Sequence, residues 1–290
     1  MPVISNVYGI VVLYNPEPSV VDNILTYAKH LKKLFVYDNS SYSNESMLRS
    51  LASVVDIEYL YNGVNDGLSY AFNRVIKTLH CFSDSWILTM DQDSYFNDDD
   101  FERFIGLDLP NLQNVGIISP LHITEPKYTN INEFINIEEL KTVMTSGNLL
   151  NIRLHKVVGG FDEKYFIDCV DWEYCLKLNS KGFKVIRVNN IQMPHGLGEP
   201  ITKKSIFTKK NRVVLNHNAL RRYYITRNKL LIISQYLLIH PKVCAIIFLS
   251  IFREDLINII LYEEDRKRKL INYAVGIKDF MFKRFGKKNL

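Results

Sequence analysis

The sequence lacks the short motifs that mark several common enzyme classes. No GxGxxG follows the first strand-like segment, and GxxxxGK[ST], GxSxG and HExxH are also absent. These absences argue against nicotinamide redox chemistry, P-loop phosphoryl transfer, serine hydrolysis and zinc proteolysis. The four cysteines form no CxxC pair and no zinc-finger spacing, and no signal-peptide pattern precedes the first strand-like segment. We therefore expect buried free thiols in a reducing, cytoplasmic compartment.

The sequence also lacks an apolar run long enough to span a bilayer. Two apolar blocks, 230–239 and 243–252, are separated by His240-Pro241-Lys242. Neither block reaches the roughly 20 residues that a spanning helix needs, and a proline with a charge at the break opposes one continuous helix. We therefore expect no transmembrane helix.

Charge is distributed unevenly along the 290 residues. Residues 1–202 contain 16 Lys and Arg against 25 Asp and Glu, whereas residues 203–290 contain 20 against 6. A basic tail behind an acidic body predicts a polyanionic partner, such as nucleic acid, an anionic membrane or a phosphorylated substrate. No RNA- or DNA-binding module is recognisable, which argues against nucleic acid.

Short apolar segments alternate with helical patterns over the first hundred residues. Strands are predicted at 7–14, 34–37, 57–61 and 86–90, each followed by Asn or Asp. This alternation predicts an α/β fold with a mostly parallel sheet, whose ligand site lies at the carboxyl ends of the strands. Further strands at 115–118, 142–146 and 184–188 and a helix at 171–180 are expected to complete the sheet, and helices follow from about residue 223.

Two acidic clusters are candidates for chemistry. Asp91 and Asp93 follow the fourth predicted strand and point the same way on an extended chain, as Mg²⁺ or Mn²⁺ ligands would, although a helix-capping loop gives the same pattern. Asp168 and Asp171 lie one turn apart if a helix begins near Asp168, which fits either a cap or a general base. For His195 and Arg227, a metal or phosphate contact competes with the commoner structural role.

Eight short motifs occur in order between residues 7 and about 230. They are Tyr14-Asn15-Pro16, Val36-Tyr37-Asp38-Asn39-Ser40, Asn62-x4-Gly67-x5-Asn73, Asp91-Gln92-Asp93-Ser94, Ser146-Gly147-Asn148, Gly160-Phe161-Asp162, Asp168-x2-Asp171-x-Glu173-x-Cys175 and His195-Gly196-x-Gly198. Their order and spacing resemble the bacterial glycosyltransferase family 2, most closely its rhamnosyltransferase-like members. The resemblance implies a GT-A fold and an inverting, metal-dependent transfer from a nucleotide sugar.

The residue patterns and the resemblance together define the expected site. The expected nucleotide-sugar contacts are Tyr14, Asn15, Asp38, Asn62, Asn73, Asp91 and Arg227, with Asp38 at the base and Asp91 at the ribose or donor sugar. The expected ligands of Mg²⁺ or Mn²⁺ are Asp93 and His195, and the expected sugar pocket contains Gly147, Asn148, Asp168, Trp172 and Glu173. Family members often show Glu-Asp where this chain has Val170-Asp171, so Asp171 is the expected catalytic base, with Asp168 replacing the missing charge.

The expected function follows from these roles. We expect transfer of a sugar, with L-rhamnose from dTDP-L-rhamnose as the first candidate, to a hydroxyl of a lipid-linked saccharide in O-antigen or capsule synthesis. The alternatives are a UDP-hexose-dependent glucosyl- or galactosyltransferase and a non-catalytic sugar-nucleotide-binding protein. The expected domains are a GT-A catalytic domain over 1–222, with its nucleotide-sugar half at about 1–100 and its acceptor half at about 101–222, and a helical basic region over 223–290.

The end of the chain combines apolar and basic residues at helical spacing. Leu270, Ala274, Ile277, Met281 and Phe285 form an apolar stripe, and nine Lys and Arg between residues 266 and 288 surround it. The pattern predicts peripheral docking on the anionic inner face of the plasma membrane. The alternative is a helix packed on the catalytic domain or on the second subunit of a homodimer.

Overall fold

A computed structural model gives the fold of the protein. It describes residues 4, 6–82, 84–97, 99–109, 112–123, 135–194, 196, 200–204 and 211–288. The chain forms two compact units, the first from Met1–Asp162 and Val170–Gly196 and the second from Glu163–Cys169 and Leu197–Leu290. The domain boundary was predicted at residue 222. The second unit begins before that residue, because it also includes the segment from Leu197 that precedes the C-terminal helices.

A mixed eight-stranded sheet forms the centre of the first unit. Its strands are β1 (Val7–Leu13), β2 (Leu34–Asp38), β3 (Ile57–Tyr61), β4 (Trp86–Asp91), β5 (Val115–Ile123), β6 (Ile137–Glu139), β7 (Asn148–Asn151) and β8 (Lys184–Pro194). The spatial order is β3-β2-β1-β4-β7-β5-β8-β6. Strands β1 to β4 are parallel, as are β5 and β8, whereas β7 is antiparallel to both of its neighbours and β6 is antiparallel to β8. The predicted α/β class with a mostly parallel sheet is confirmed.

Helices cover this sheet because its strands are apolar on both faces. The helices are α1 (Val20–Ala28), α2 (Leu68–Thr78), α3 (Asp100–Ile105), α4 (Ile152–Val158) and α5 (Val170–Ser180), with 3₁₀ segments at Glu45–Ser53 and Leu112–Asn114. Every residue of β1 and β2 is buried, as expected for parallel strands with a layer on each side. In α2, Ala71, Phe72, Val75 and Ile76 recur at helical spacing and are fully buried. Burial of these apolar residues on both sides of the sheet therefore fixes the strands, so that the carboxyl ends of the parallel strands lie at one edge of the sheet.

One predicted strand is wrong. Residues 142–146 form an irregular loop, and the strand in this region is β7, which begins at Asn148. The Thr89 hydroxyl donates to the Thr145 carbonyl at 2.7 Å, and the Gly147 amide donates to the Thr89 carbonyl at 2.8 Å. Gly147 also has a φ of 78°. These contacts turn the chain at the end of β4 before it enters the sheet.

The second unit consists of a β-hairpin and a group of helices. The hairpin pairs β9 (Pro200–Lys204) with β10 (Asn211–Leu215), and the helices are α6 (Ala219–Tyr236), α7 (Pro241–Ser250), a π-helical segment (Ile251–Leu256), α8 (Ile257–Leu261) and α9 (Arg266–Met281). Helix α9 packs closely on α6, since a Cβ added at Gly276 would lie 2.7 Å from the Tyr223 carbonyl oxygen. A glycine is therefore required at this crossing.

Five buried charged side chains join the helices of the second unit. Arg222 on α6 pairs with Asp255 at 2.9 Å and also with Glu263, while Lys229 pairs with Asp255 at 2.6 Å and Lys269 pairs with Glu263 at 2.9 Å. All five residues are at most 5% exposed. Buried charges are tolerated only when they are paired and hydrogen-bonded, so this cluster fixes α6, the π-helical segment and α9 against one another.

The predicted apolar stripe of α9 is not a free membrane-facing surface. Leu270 and Ile277 pack against a buried cluster of Ile251, Ile259 and Tyr273, all within the second unit. Leu270 and Ile277 are thus covered within the second unit, which is neither of the two predicted arrangements, whereas Ala274 is exposed and Met281 is 71% exposed. Within the described part of the chain, no helix combines the length and the hydropathy needed to cross a bilayer.

Candidate functional site

The carboxyl ends of three neighbouring strands meet at one edge of the first unit. The last residue of β1, Leu13, is aligned with Asp38 at the end of β2, and Val12 is aligned with Asp91 at the end of β4. The ends of these strands and the loop after β1 contain four of the seven predicted nucleotide-sugar residues, namely Tyr14, Asn15, Asp38 and Asp91. Loops at the carboxyl ends of a parallel sheet are the usual place for a ligand, so this edge is the candidate site.

Asp38 is fully buried and organises the loop after β2. It accepts hydrogen bonds from the Ser40 amide (2.9 Å), the Asn44 amide (3.1 Å) and side chain (2.9 Å), and the Tyr59 hydroxyl (2.6 Å). Burial acts to raise the pKa of Asp38, but the hydrogen bonds from Ser40, Tyr59 and Asn44 outweigh it and lower the pKa below its ordinary value. The carboxylate is therefore ionised at neutral pH, and its contact with a base stays a prediction.

Gln92 connects the ends of β1 and β4. Its side-chain oxygen accepts from the Tyr14 amide at 2.8 Å, and its side-chain nitrogen donates to the Tyr14 carbonyl at 3.3 Å. The Asn15 amide donates to the Ser40 hydroxyl at 2.7 Å, which adds the end of β2. The ring of Tyr14 is 54% exposed beside these contacts. Gln92 was not singled out from the sequence, because only its position between two carboxylates is visible there.

A third loop is held at the same edge by Asp66. Its carboxylate accepts from the Tyr37 hydroxyl at 2.7 Å and from the Asn62 side chain at 2.8 Å, while its amide donates to the Asn39 side chain at 3.0 Å. Burial, followed by the bond to Asp66, raises the pKa of Tyr37, so this phenol stays a hydrogen-bond donor. Asn62 was predicted here, whereas Asp66 was missed because its partners are distant in sequence.

The two carboxylates after β4 differ in exposure. Asp91 is half-buried and its amide donates to the Ser146 hydroxyl at 3.1 Å, whereas Asp93 is exposed. A cation of the Mg²⁺ type is commonly held by one or two carboxylates together with substrate phosphates, so an exposed Asp93 at this edge fits a metal that arrives with a diphosphate. His195 lies outside the described residues. The described residues contain no cluster of three or more acidic, His or Cys side chains that could hold a metal.

Gly147 and Asn148 lie where β7 enters the sheet beside the end of β4. A Cβ on Gly147 would lie 2.9 Å from Cγ of Pro120, so no larger residue fits without displacement. The Asn148 side chain is buried, donates to the Met144 carbonyl at 2.5 Å, and keeps its oxygen without a hydrogen-bond partner among the described residues. The structure places both residues near the site edge, and their contact with a sugar stays a prediction.

Asn73 lies in the interior, between α2 and the Gly160-Phe161 turn. Its side chain donates to the Phe161 carbonyl and accepts from the Phe161 amide, both at 2.9 Å, and its oxygen lies 3.2 Å from Nε2 of His155. Burial lowers the pKa of His155 to about 3, with His80 and Lys177 adding to the effect, so this imidazole is neutral. This position gives Asn73 a structural role, and its predicted contact with a nucleotide sugar gains no support.

The first turn of α5 contains three predicted site residues in different environments. Asp171 and Trp172 are half-buried, and the Asp171 carboxylate accepts from the Trp172 amide at 2.9 Å. Glu173 is 1% exposed and pairs with Lys177 at 3.1 Å, which favours a structural role over one in a sugar pocket. Asp171 is therefore the carboxylate of this turn that retains access to solvent and can accept a proton.

Asp168 belongs to the second unit and does not lie in α5, which begins at Val170. The prediction of two carboxylates one turn apart in one helix is therefore wrong. Asp168 and Cys169 both have a positive φ, of 61° and 62°. The Asp168 carboxylate pairs with Arg221 at 2.6 Å, and its carbonyl accepts from the Asn228 side chain at 2.9 Å. The Arg221 guanidinium therefore balances the negative charge of Asp168, which was expected to lie in the sugar pocket.

Arg227 is fully buried in the second unit. Its guanidinium donates to the Gly286 carbonyl at 2.8 Å and to the Lys164 carbonyl at 3.3 Å, and it lies 5.1 Å from the ring centres of Tyr223 and Tyr224. These contacts connect the start and the end of the unit. The predicted contact between Arg227 and a nucleotide sugar therefore gains no support.

The strand ends that form this edge lie in a segment that matches a known family model. Residues 10–125 match the family model described as Glycosyl transferase family 2. The chain is also 27% identical over 247 residues to the dTDP-rhamnosyl transferase RfbF of Shigella flexneri, an alignment that covers 80% of this chain and 81% of that protein. Both comparisons support the conclusion that the protein is a glycosyltransferase, and residues 10–125 are the part that is similar to the family 2 model.

Solved structures of low sequence identity share the fold. The crystal structure of GalNAc-T7 with UDP, GalNAc and Mn²⁺ aligns with a TM-score of 0.51 at 10% identity, covering 66% of this chain and 43% of that chain. Residues 1-349 of Staphylococcus aureus TarS in complex with UDP-GlcNAc align with a TM-score of 0.50 at 12% identity, covering 96% of this chain and 73% of that one. These likenesses show a GT-A fold and nothing more specific.

Proposed function

We propose that the protein transfers L-rhamnose from dTDP-L-rhamnose to a hydroxyl of a lipid-linked saccharide during bacterial surface polysaccharide synthesis. The observation that supports a nucleotide-sugar site is the edge where the ends of β1, β2 and β4 meet, with the exposed Asp93 among loops fixed by Asp38 and Gln92. The choice of donor is supported by the similarity to the Shigella flexneri dTDP-rhamnosyl transferase. An acceptor on a lipid carrier would place the enzyme peripherally on the inner face of the plasma membrane.

In this proposal the exposed edge binds the nucleotide end of the donor. The exposed ring of Tyr14 offers a face for the pyrimidine base. Asp93 would hold a Mg²⁺ or Mn²⁺ ion together with the diphosphate, and such an ion would supply positive charge for the leaving group. Asp38, buried and ionised, keeps the loop of residues 39–44 in place so that this surface is formed before the donor arrives.

Asp171 is the proposed general base. The acceptor oxygen attacks the anomeric carbon opposite the diphosphate, and the anomeric carbon–oxygen bond breaks with its electron pair passing to the diphosphate. The acceptor proton passes to the Asp171 carboxylate as the new bond forms. This in-line displacement inverts the anomeric configuration, through an oxocarbenium-like transition state of the kind known from glycoside hydrolysis.

A donor screen tests the proposal. Product formation is measured with dTDP-L-rhamnose, UDP-glucose and UDP-galactose, each with Mg²⁺, with Mn²⁺ and with excess EDTA. We expect turnover with dTDP-L-rhamnose that EDTA abolishes. Turnover with a UDP-hexose alone would establish the second candidate, a glucosyl- or galactosyltransferase. Donor binding without turnover of any donor would favour a non-catalytic binding protein.

A further inference from the structure

The second unit exposes large apolar side chains on α7 and on the turn before it. We call this set the α7 surface, and it consists of Leu237, Leu238, Ile239, Ile246, Leu249 and Phe252. Leu238 is 95% exposed and Ile246 is 68% exposed, and the other four are between 46% and 55% exposed. Single exposed apolar residues are common on protein surfaces, but a group of this size within 16 consecutive residues, 237–252, is typical of a surface that binds a partner.

Two exposed cations, Lys242 and Arg253, flank Ile246 and Leu249 of the α7 surface. Lys242, Ile246, Leu249 and Arg253 follow one another at intervals of four, three and four residues, and all four are exposed. Residues at this spacing lie on one side of a helix. Exposed apolar side chains flanked by exposed cations can contact the acyl chains and the anionic headgroups of a bilayer at the same time.

The charge of the surrounding surface favours an anionic partner. Asp255 and Glu263, two of the few acidic residues of the second unit, are buried and paired with buried cations. Among the described residues of this unit, thirteen exposed Lys and Arg accompany four exposed Asp and Glu. A second copy of the chain would bring like charges together in a symmetric contact, whereas an anionic lipid surface is complementary.

We propose that the α7 surface docks the protein on an anionic lipid bilayer. Its apolar side chains enter the boundary between headgroups and acyl chains, and Lys242 and Arg253 contact lipid phosphates. No described helix combines the length and the hydropathy needed to cross a bilayer, so in this proposal α7 lies parallel to the membrane plane. The inference deepens the proposed function, because a lipid-linked acceptor lies on the same surface, but its test requires neither donor nor acceptor.

Vesicle sedimentation of the full chain tests this proposal. The vesicles are phosphatidylcholine alone or phosphatidylcholine mixed with phosphatidylglycerol, without any saccharide lipid. The double variant Leu238→Asp/Ile246→Asp changes two side chains that make little contact with the fold, and we expect its partitioning to mixed vesicles to fall about tenfold or more. The matched control Val157→Asp, at a 50% exposed position of α4 in the first unit, should bind like the wild type. Lys242→Glu/Arg253→Glu should weaken binding to mixed vesicles only.

Three outcomes would overturn the proposal. The first is that the wild type fails to sediment with mixed vesicles, and the second is that the double variant binds them as well as the wild type does. The third is that sedimentation velocity shows a wild-type dimer that the double variant dissociates while vesicle binding is unchanged, which would make the surface an interface between copies. A different donor specificity in the screen above would contradict the proposed function and leave the vesicle result unaffected.

Discussion

Asp38 in the first unit and Asp255 in the second are both buried carboxylates, but they are stabilised in different ways. Asp38 receives hydrogen bonds from a backbone amide, an Asn residue and a Tyr hydroxyl, all of them neutral donors. Asp255 is paired with Arg222 and Lys229, two buried cations. The first arrangement organises a loop at the edge of the sheet, whereas the second fixes helices to one another.

The difference teaches which charged groups are available for chemistry. In the first unit, Asp93 in the loop after β4 is exposed, and Asp171 in the first turn of α5 retains access to solvent. In the second unit, Arg227 is fully enclosed by its own unit although its sequence context suggested a phosphate contact. The predictions below test this contrast between the two units.

The largest expected effect is on stability, at Asp255. In Asp255→Ala, Arg222 loses one of its two carboxylate partners and Lys229 loses its carboxylate, so we expect the free energy of unfolding in urea to fall by about 3–5 kcal/mol. The control is Glu254→Ala, at the neighbouring exposed residue, which should change stability by less than about 0.5 kcal/mol. A loss below about 1 kcal/mol for Asp255→Ala would contradict the structural importance of the ion cluster.

The next effect is on catalysis, at Asp171. Asp171→Asn keeps the size of the side chain but cannot accept the acceptor proton, so we expect kcat to fall about a hundredfold, with donor affinity retained. Steady-state kinetics and donor titration provide the two readouts. The matched control is Glu173→Gln, since Glu173 is buried and paired with Lys177. If kcat fell further in this control than in Asp171→Asn, with both variants folded, Asp171 would not be the catalytic base.

A smaller effect is expected at Asp38. Asp38→Asn removes the charge that the surrounding donors stabilise, so the free energy of unfolding should fall by about 2 kcal/mol at pH 7. The folded-state pKa of Asp38 is lowered, so its contribution is present above the ordinary carboxyl pKa near 4 and disappears as pH falls through the folded-state pKa. Urea unfolding of both proteins from neutral to acidic pH should therefore show curves that converge at low pH, and a constant difference would be inconsistent with this cause.

The smallest effect concerns the neutral imidazole of His155. Its folded-state pKa of about 3 lies below the ordinary value of 6.5, so the unfolded state binds the proton first as pH falls. Stability should then decrease by about 1 kcal/mol per pH unit below about pH 6. His155→Gln keeps a polar side chain beside Asn73 and should flatten this slope, as measured by thermal unfolding. The same slope in both proteins would mean that other groups determine it.

Local patterns were sufficient for the sheet but not for the way in which loops complete the site. Strands β1 to β4 were predicted because each is a short apolar run that ends in Asn or Asp. Strand β7 was misplaced because the turn at Gly147 depends on Thr89, which is distant in sequence. Gln92 and Asp66 were missed for the same reason, since their partners become neighbours only after the strands align.

Amphipathic patterns were also insufficient to predict what covers a helix. The stripe of Leu270 and Ile277 on α9 has the spacing of a membrane-binding helix, but it packs inside the second unit. The block that contains α7 is apolar on all sides, so its sequence gives no sign of which side is exposed. A hydrophobic pattern predicts that a face will be covered, and the nature of the cover depends on tertiary structure.

The most direct test of the account is calorimetric titration of dTDP-L-rhamnose into the wild type and into Asp93→Asn, each with Mn²⁺ and with EDTA. The control is Asp99→Asn, which removes another exposed carboxylate of the loop after β4. The account predicts metal-dependent donor binding in the wild type and in the control, and its loss in Asp93→Asn. Equal, EDTA-insensitive binding by all three proteins would contradict the claim that this strand edge is the nucleotide-sugar site.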